Sequence, residues 1–246
     1  DYANELVSFF DPATFSYAGS GQQIDAHVKH NLFIVPGALD DNPSGFWLVD
    51  IGASNSSLSG DWALRNGYRS RAGIERMGRG AGQQFRSKSV RCDRLVFGGF
   101  TLERPVMGVS TVGSDTTTVS DEMGTLGNAA FQHFVLYCDY QKERLIVDPG
   151  EIFNKPGMED HSGLQLSRGN NGEVNIWFVS PGTPAAKAGF AAGDIIKSIN
   201  GVETKRFDGL VPVRAMLSGA PDSVYDVVVD RSGVTKSLKL KLAVLL

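Results

Sequence analysis

Phe46-Trp47-Leu48-Val49-Asp50-Ile51-Gly52-Ala53-Ser54 is the stretch on which the reading of the N-terminal half turns. Four apolar residues lead into a carboxylate, and a glycine two positions later opens a run of small residues. Such a run reads as a buried-type strand over 46–49, and the glycine after the acid marks a tight turn. A strand that ends this way projects a carboxylate out of a low-dielectric wall. Gly52 suits the turn because the chain folds back beneath the acid, where a side chain would collide.

Two roles fit Asp50. It caps its own turn by accepting backbone N–H bonds, as Asp commonly does in Asp-x-Gly. Alternatively it is one acid of a pair. Peptide hydrolysis by paired carboxylates needs one ionised Asp to take a proton from water and one protonated Asp to donate toward the substrate carbonyl. Two acids that close share a proton, because both cannot be charged there. One strand-turn unit supplies one acid, so a pair needs a second unit.

The surrounding sequence sets bounds. Its 246 residues suffice for one large or two ordinary domains. Hydrophobic residues make up 41% and charged ones 21%, a globular composition. A net charge of −3 gives no reason to expect nucleic acid as a partner. No apolar run approaches the ~20 residues of a membrane span. The first five residues, Asp1 to Glu5, have no signal-peptide pattern, and the chain reads as a mature or trimmed fragment. With 29 glycines among short apolar runs, the expected fold is mostly β.

Coarse elements follow. Residues 24–35 alternate as a strand, 41–45 form a turn cluster, and 58–67 a short helix closed by Gly67. Gly78-Arg79-Gly80-Ala81-Gly82 is a hairpin tip. Strands are expected over 90–97 and 104–109, with a Thr/Ser-rich loop over 111–121. Gly124-Thr125-Leu126-Gly127 enters a helix over 129–133, and a hairpin turns around Asp139-Tyr140. Asp1-Tyr2, Glu5, Leu6, Val7 and Asp11-Pro12 are echoed by Asp139-Tyr140, Glu143, Leu145, Ile146, Val147 and Asp148-Pro149. Both copies read as the last strand of a unit, which points to a duplicated lobe whose first copy precedes Asp1.

Several other chemistries are disfavoured. Cys92 and Cys138 form no metal motif, and both a disulfide and two free thiols remain open. His27, His30, His133 and His161 have no metal-ligand spacing, so no metal or other cofactor is expected. The glycine-rich tip lacks the Lys-Ser/Thr of a phosphate loop, and no Gly-x-Ser-x-Gly elbow occurs.

The ordered set Asp50-Ile51-Gly52-Ala53-Ser54, then Gly78, Gly80 and Gly82, then Gly124 to Gly127, then Asp139-Tyr140, resembles one lobe of a retropepsin-like aspartic peptidase. The resemblance implies a β-barrel lobe over 21–155, with 1–20 as the tail of a preceding lobe. It makes Asp50 the catalytic acid, Ile51 to Ser54 the active-site loop, and Gly78, Gly80 and Gly82 the flap that closes on substrate. The family carries a hydroxyl residue where this chain has Ile51, and that hydroxyl bonds across to the partner loop. Isoleucine removes a bond worth about 1 kcal/mol or more.

After a linker over 156–162, residues 163–246 are similar to a PDZ domain of the bacterial type. The residues that carry this are Ser180-Pro181-Gly182-Thr183-Pro184-Ala185-Ala186-Lys187-Ala188-Gly189-Phe190, Gly193-Asp194-Ile195-Ile196 and Ile199-Asn200-Gly201. The likeness implies a partly open α+β barrel in which Gly163, Leu164, Gln165 and Leu166 form the carboxylate-binding loop. Gln165 stands where a glycine is usual. A peptide would add as a strand between 166–168 and a helix near 213. The alternative is a groove filled by the protein's own linker or tail. Asp194 reads as a structural turn residue rather than a second catalytic acid.

Together the resemblances imply an aspartic-type endopeptidase acting on peptides or proteins, its partner acid supplied by a missing N-terminal lobe or a second copy. They also imply an exported bacterial protein of the envelope or periplasm. The other reading is a catalytically weak scaffold whose PDZ module binds protein C-termini.

Overall fold

The computed structural model describes residues 1–80, 83–110, 122–151, 153 and 158–246. Gly82 of the expected flap, the loop over 111–121 and linker residues 156–157 lie outside the described residues. In chain order the strands of the N-terminal half are β1 (Gln22–Asp25), β2 (His27–Lys29), β3 (Leu32–Leu39), β4 (Gly45–Val49), β5 (Ser57–Leu58), β6 (Gly73–Gly80), β7 (Gln83–Arg91), β8 (Arg94–Phe97), β9 (Phe100–Glu103), β10 (Val106–Ser110), β11 (Glu122–Leu126), β12 (Phe134–Asp139) and β13 (Arg144–Pro149). The short helices α1 (Gly60–Arg65) and α2 (Asn128–Phe131) interrupt them. The C-terminal half holds β14 (Leu164–Arg168), β15 (Val174–Val179), α3 (Pro184–Lys187), β16 (Ile195–Ile199), β17 (Val202–Glu203), α4 (Val211–Leu217), β18 (Val224–Arg231) and β19 (Val234–Lys241). The fold is mostly β, as composition suggests. Two compact units result: one of Asp1–Arg71 with Ser89–Gly157, the other of Ala72–Lys88 with Met158–Leu246.

In the first unit the sheet order is β10-β5-β11-β4-β3-β8-β9, with β2 on β3, beside a small sheet β1-β13-β12. The strands β4 and β5 do not pair with each other. Instead β11 runs between them, parallel to β4 and antiparallel to β5. The core comprises Phe33, Leu39, Trp47, Leu58, Phe97, Leu126, Phe131 and Phe134 with their neighbours. Three expectations change here. Phe46 is 46% exposed while Trp47 is fully buried, so β4 alternates because one face of its sheet is open. Residues 24–35 are not one strand: His30 and Asn31, both at positive φ, turn β2 back onto β3. The strand expected over 90–97 breaks at Cys92-Asp93, where the N–H groups of Asp93 and Arg94 turn to the Asp40 carboxylate at 2.7 and 3.2 Å.

Residues 1–20 contain no strand, although the later copy of their motif forms β13. A strand needs a ladder partner, and β13 has β1 and β12 on its two edges. Both cysteines are free, Cys92 buried and Cys138 exposed. Burial is the main reason the Cys92 thiol is pushed up to about 12, so it stays protonated and inert.

In the second unit the order is β14-β15-β16-β18-β19, with β17 on β16. Asn200 and Gly201, at φ of +48° and +77°, make the tight turn between β16 and β17. The core gathers Leu164, Leu166, Val174, Ile176, Ile196, Val213, Leu217 and Val229 around α3 and α4. The hairpin β6–β7 belongs to this unit through residues 72–88. The Phe85 ring lies across Gly78, where any side chain would collide with it.

Candidate active site and peptide-binding loop

Asp50 directly follows β4, where β11 passes alongside. Its N–H donates to the Leu126 carbonyl at 3.0 Å, and its own carbonyl accepts from Ala53 N–H at 3.1 Å, closing a turn over 50–53. One carboxylate oxygen, Oδ1, accepts the Gly52 N–H at 2.8 Å. The capping role weighed from sequence is therefore present, and Oδ2 takes no hydrogen bond among the described residues. A side chain on Gly52 would start 3.1 Å from that Oδ1.

The loop beyond is fixed to the start of α2. Asn128 N–H donates to Ala53 O at 2.8 Å, Ala129 N–H to Ser54 O at 3.1 Å, and Gly127 N–H to the buried Ser56 Oγ at 3.1 Å. This explains Gly124-Thr125-Leu126-Gly127. A Cβ on Gly124 would run into the Ser57 carbonyl, and one on Gly127 would lie 2.5 Å from the Asn55 carbonyl. Only glycine lets β11 thread between β4 and β5 and hold the Asp50 turn from beneath. In the sequence only the small polar run 54–57 points to Ser56. Ile51 is 58% exposed and points away from the core. The first unit thus gathers Asp50, Ile51, Gly52, Ala53 and Ser54 into one turn. Gly78 and Gly80 lie on β6, grouped with the other unit.

Elsewhere in the first unit a buried carboxylate serves structure. Asp40 Oδ2 accepts from Tyr68 Oη at 2.8 Å and pairs with Arg71 at 2.8 Å. Burial alone would raise its pKa. Hydrogen bonds from Tyr68, Asp93 and Arg94 and the Arg71 charge outweigh that and hold it low. In the second unit Asp194 is fully buried and takes a two-pronged contact from Arg231, Nε at 2.6 Å and Nη2 at 2.8 Å. It is the structural group that its turn context implied.

Gly163 precedes β14, the terminal strand of its sheet, and Leu164, Gln165 and Leu166 are the first three residues of that strand. Gly163 sits at φ +84°, and a side chain there would strike Thr183. Its carbonyl accepts Ser180 N–H at 2.9 Å, while Ser162 O accepts Ala185 N–H at 2.9 Å. Leu164 N–H donates to Ser162 Oγ at 3.0 Å. Leu164 and Leu166 point into the core shared with Val213 and Leu217 of α4. No group of three or more His, Cys, Asp or Glu among the described residues is arranged to hold a metal ion. No described helix is long and apolar enough to cross a membrane.

Residues 35–129 match the aspartyl protease family model, and residues 179–231 match the PDZ domain model. The chain therefore carries an aspartyl protease-like domain followed by a PDZ domain. The first match contains Asp50 and the Gly124–Gly127 segment; the second begins after the Gly163–Leu166 loop. No curated protein matches the chain. Among solved structures it is similar to the photosystem II D1 C-terminal processing protease, at 33% identity over 35% of this chain and 24% of that one, TM-score 0.32. It is also similar to a retropepsin-like aspartic protease from Rickettsia conorii, at 19% identity over 54% of this chain and 96% of that one, TM-score 0.39. A serine endoprotease from Yersinia pestis matches at 12% identity over 91% of this chain and 85% of that one, TM-score 0.33.

Proposed function

We propose that the protein is an aspartic-type endopeptidase in which Asp50 supplies one acid of a carboxylate pair and the PDZ module receives peptide termini. The observation that carries the reading is the threading of β11 between β4 and β5, with Gly124 and Gly127 holding the Asp50 turn. That arrangement fixes a carboxylate at a strand end with one oxygen left for water. The partner acid comes from a preceding lobe or from a second copy. The 58% exposure of Ile51 beside Asp50 supports such a pairing, since an apolar side chain there gains from being covered. An envelope location rests on the family resemblance alone. Asp50→Asn removes the acid and keeps the shape. It should abolish cleavage of a peptide library at acidic and neutral pH, and full turnover in that variant would end the assignment.

A second reading has its own observation. Ile51 has no hydroxyl, and Asp50 Oδ1 is already engaged by Gly52 N–H. On that reading the lobe is a scaffold and the PDZ module is the working part. Absence of cleavage by the unaltered protein and by a longer parent chain tested beside it, together with binding of free peptide C-termini, would select it.

A further inference from the structure

The hairpin β6–β7 is tied to the peptide-receiving loop at two points that bracket it. On one side, the Gln165 amide makes both bonds of a strand neighbour to a single residue. Its Oε1 accepts Met77 N–H at 2.7 Å, and its Nε2 donates to Met77 O at 2.9 Å. On the other side, Arg76 Nη1 pairs with Asp160 Oδ2 at 2.8 Å, with side chains only 17% and 25% exposed. Asp160 in turn fills the mouth of the loop. Its Oδ1 accepts Ser162 N–H at 2.8 Å and Ser162 Oγ–H at 2.6 Å, and both its oxygens accept Gly163 N–H at 3.1 to 3.2 Å. Ser162 Oγ then accepts Leu164 N–H.

An incoming peptide carboxylate meets three obstacles in this arrangement. The Leu164 N–H it would use is taken by Ser162. The Asp160 carboxylate beside the loop repels it. The Ser162 hydroxyl turns away only if its bond to Asp160 breaks, which disturbs the group that holds Arg76. We propose that the β6–β7 hairpin is latched to the PDZ module by Gln165–Met77 and Arg76–Asp160, and that a peptide carboxyl terminus entering the loop releases it. Gln165, standing where a glycine is usual, is then the latch itself. Binding and release are linked reciprocally: what occupies the loop loosens the hairpin, and what loosens the hairpin tightens peptide binding. The inference rests on the reading of residues 163–166 as a peptide-receiving loop.

The test uses the whole chain, a labelled randomised hexapeptide library with free C-termini, and its amidated copy. Hydrogen exchange is followed over residues 73–80, and peptide binding by anisotropy. Gln165→Ala should speed exchange in that segment and tighten binding of the free-carboxylate library by about fivefold or more, the low end of ordinary coupling between sites. Arg76→Ala should also speed exchange there, but it strips Asp160 of its cation and is therefore read by exchange alone. The free-carboxylate library should also speed exchange in the unaltered protein, while the amidated library leaves it as it was. Gln165→Met keeps the length and adds no charge but loses both bonds to Met77, so release like that of Gln165→Ala is expected, and it covers the case in which alanine fails to fold. Equal binding by the unaltered protein and the Gln165 variants, with unchanged exchange over 73–80, overturns the latch and leaves the peptide reading intact. No binding to any of them overturns both.

Discussion

At the residue scale, two glycines of one sheet separate geometry from composition. A Cβ on Gly124 collides with the Ser57 carbonyl and lies 2.9 Å from the Leu58 Cα, both backbone atoms that cannot swing aside. A Cβ on Gly108 meets nothing closer than 3.5 Å, an ordinary contact. Gly124→Ala should therefore cost about 1–3 kcal/mol or more in urea unfolding. Gly108→Ala should be neutral or stabilising by about 0.5 kcal/mol, because glycine in a strand costs conformational entropy. Equal effects would mean that β11 does not thread as described. The sequence pointed to residues 124–127 by resemblance, yet the reason for those glycines is visible only once β11 is seen between β4 and β5. Ile51→Thr bears on function at the same scale. At 58% exposure the change should leave stability within about 0.5 kcal/mol. With a second copy as the partner it restores a hydroxyl that bonds across to that copy, so it should raise self-association by sedimentation and cleavage together. A rise in neither would count against a second copy as the partner.

At the scale of elements, local pattern foresaw strands better than the places where they bend. The run 24–35 alternates well, but the turn at His30-Asn31 carries two positive φ angles without the Asn-Gly signature that would have flagged it. Asn tolerates that region; His does so at a cost. The double change His30→Asn with Asn31→Gly should therefore stabilise the β2–β3 hairpin by about 1 kcal/mol in urea unfolding. A loss of stability would show that these side chains hold something beyond the turn. The same limit explains the first copy of the Asp-Tyr motif. Leu6 and Val7 have the composition of a strand, yet they are 56% and 78% exposed and join no ladder. Pairing is a property of neighbours, which a lone segment cannot encode. The grouping of β6–β7 with the C-terminal unit was equally out of reach. Within that unit Gln165 meets Met77 across 88 residues of sequence.

At the scale of the whole molecule, both units draw stability from buried carboxylates whose pKa values are held low. Asp40 and Asp139 lie in the first unit and Asp194 in the second. In each case burial works the other way and is outweighed by a cation with hydrogen bonds: Arg71 and Tyr68 for Asp40, Arg144 and Lys142 N–H for Asp139, Arg231 and Ala191 N–H for Asp194. A depressed folded value means that the unfolded chain binds protons first as pH falls. The stabilisation is then complete above the unfolded carboxylate value of about 3.9 and is lost as pH drops through the lower folded values. Stability should be level from pH 7 to about 5 and fall steeply below about 4. This leaves room for carboxylate-pair chemistry at mildly acidic pH. Trp47 and Trp62 report on the first unit and Trp177 on the second, so intrinsic fluorescence with single-tryptophan variants can follow each. Asp194→Asn keeps the shape but leaves the Arg231 guanidinium without its carboxylate. It should lower the stability of the Trp177 unit at neutral pH and flatten its acid limb, while the acid limb of the Trp47 unit stays as it was. A steep acid limb that survives in the Trp177 unit would show that other groups set its acid response.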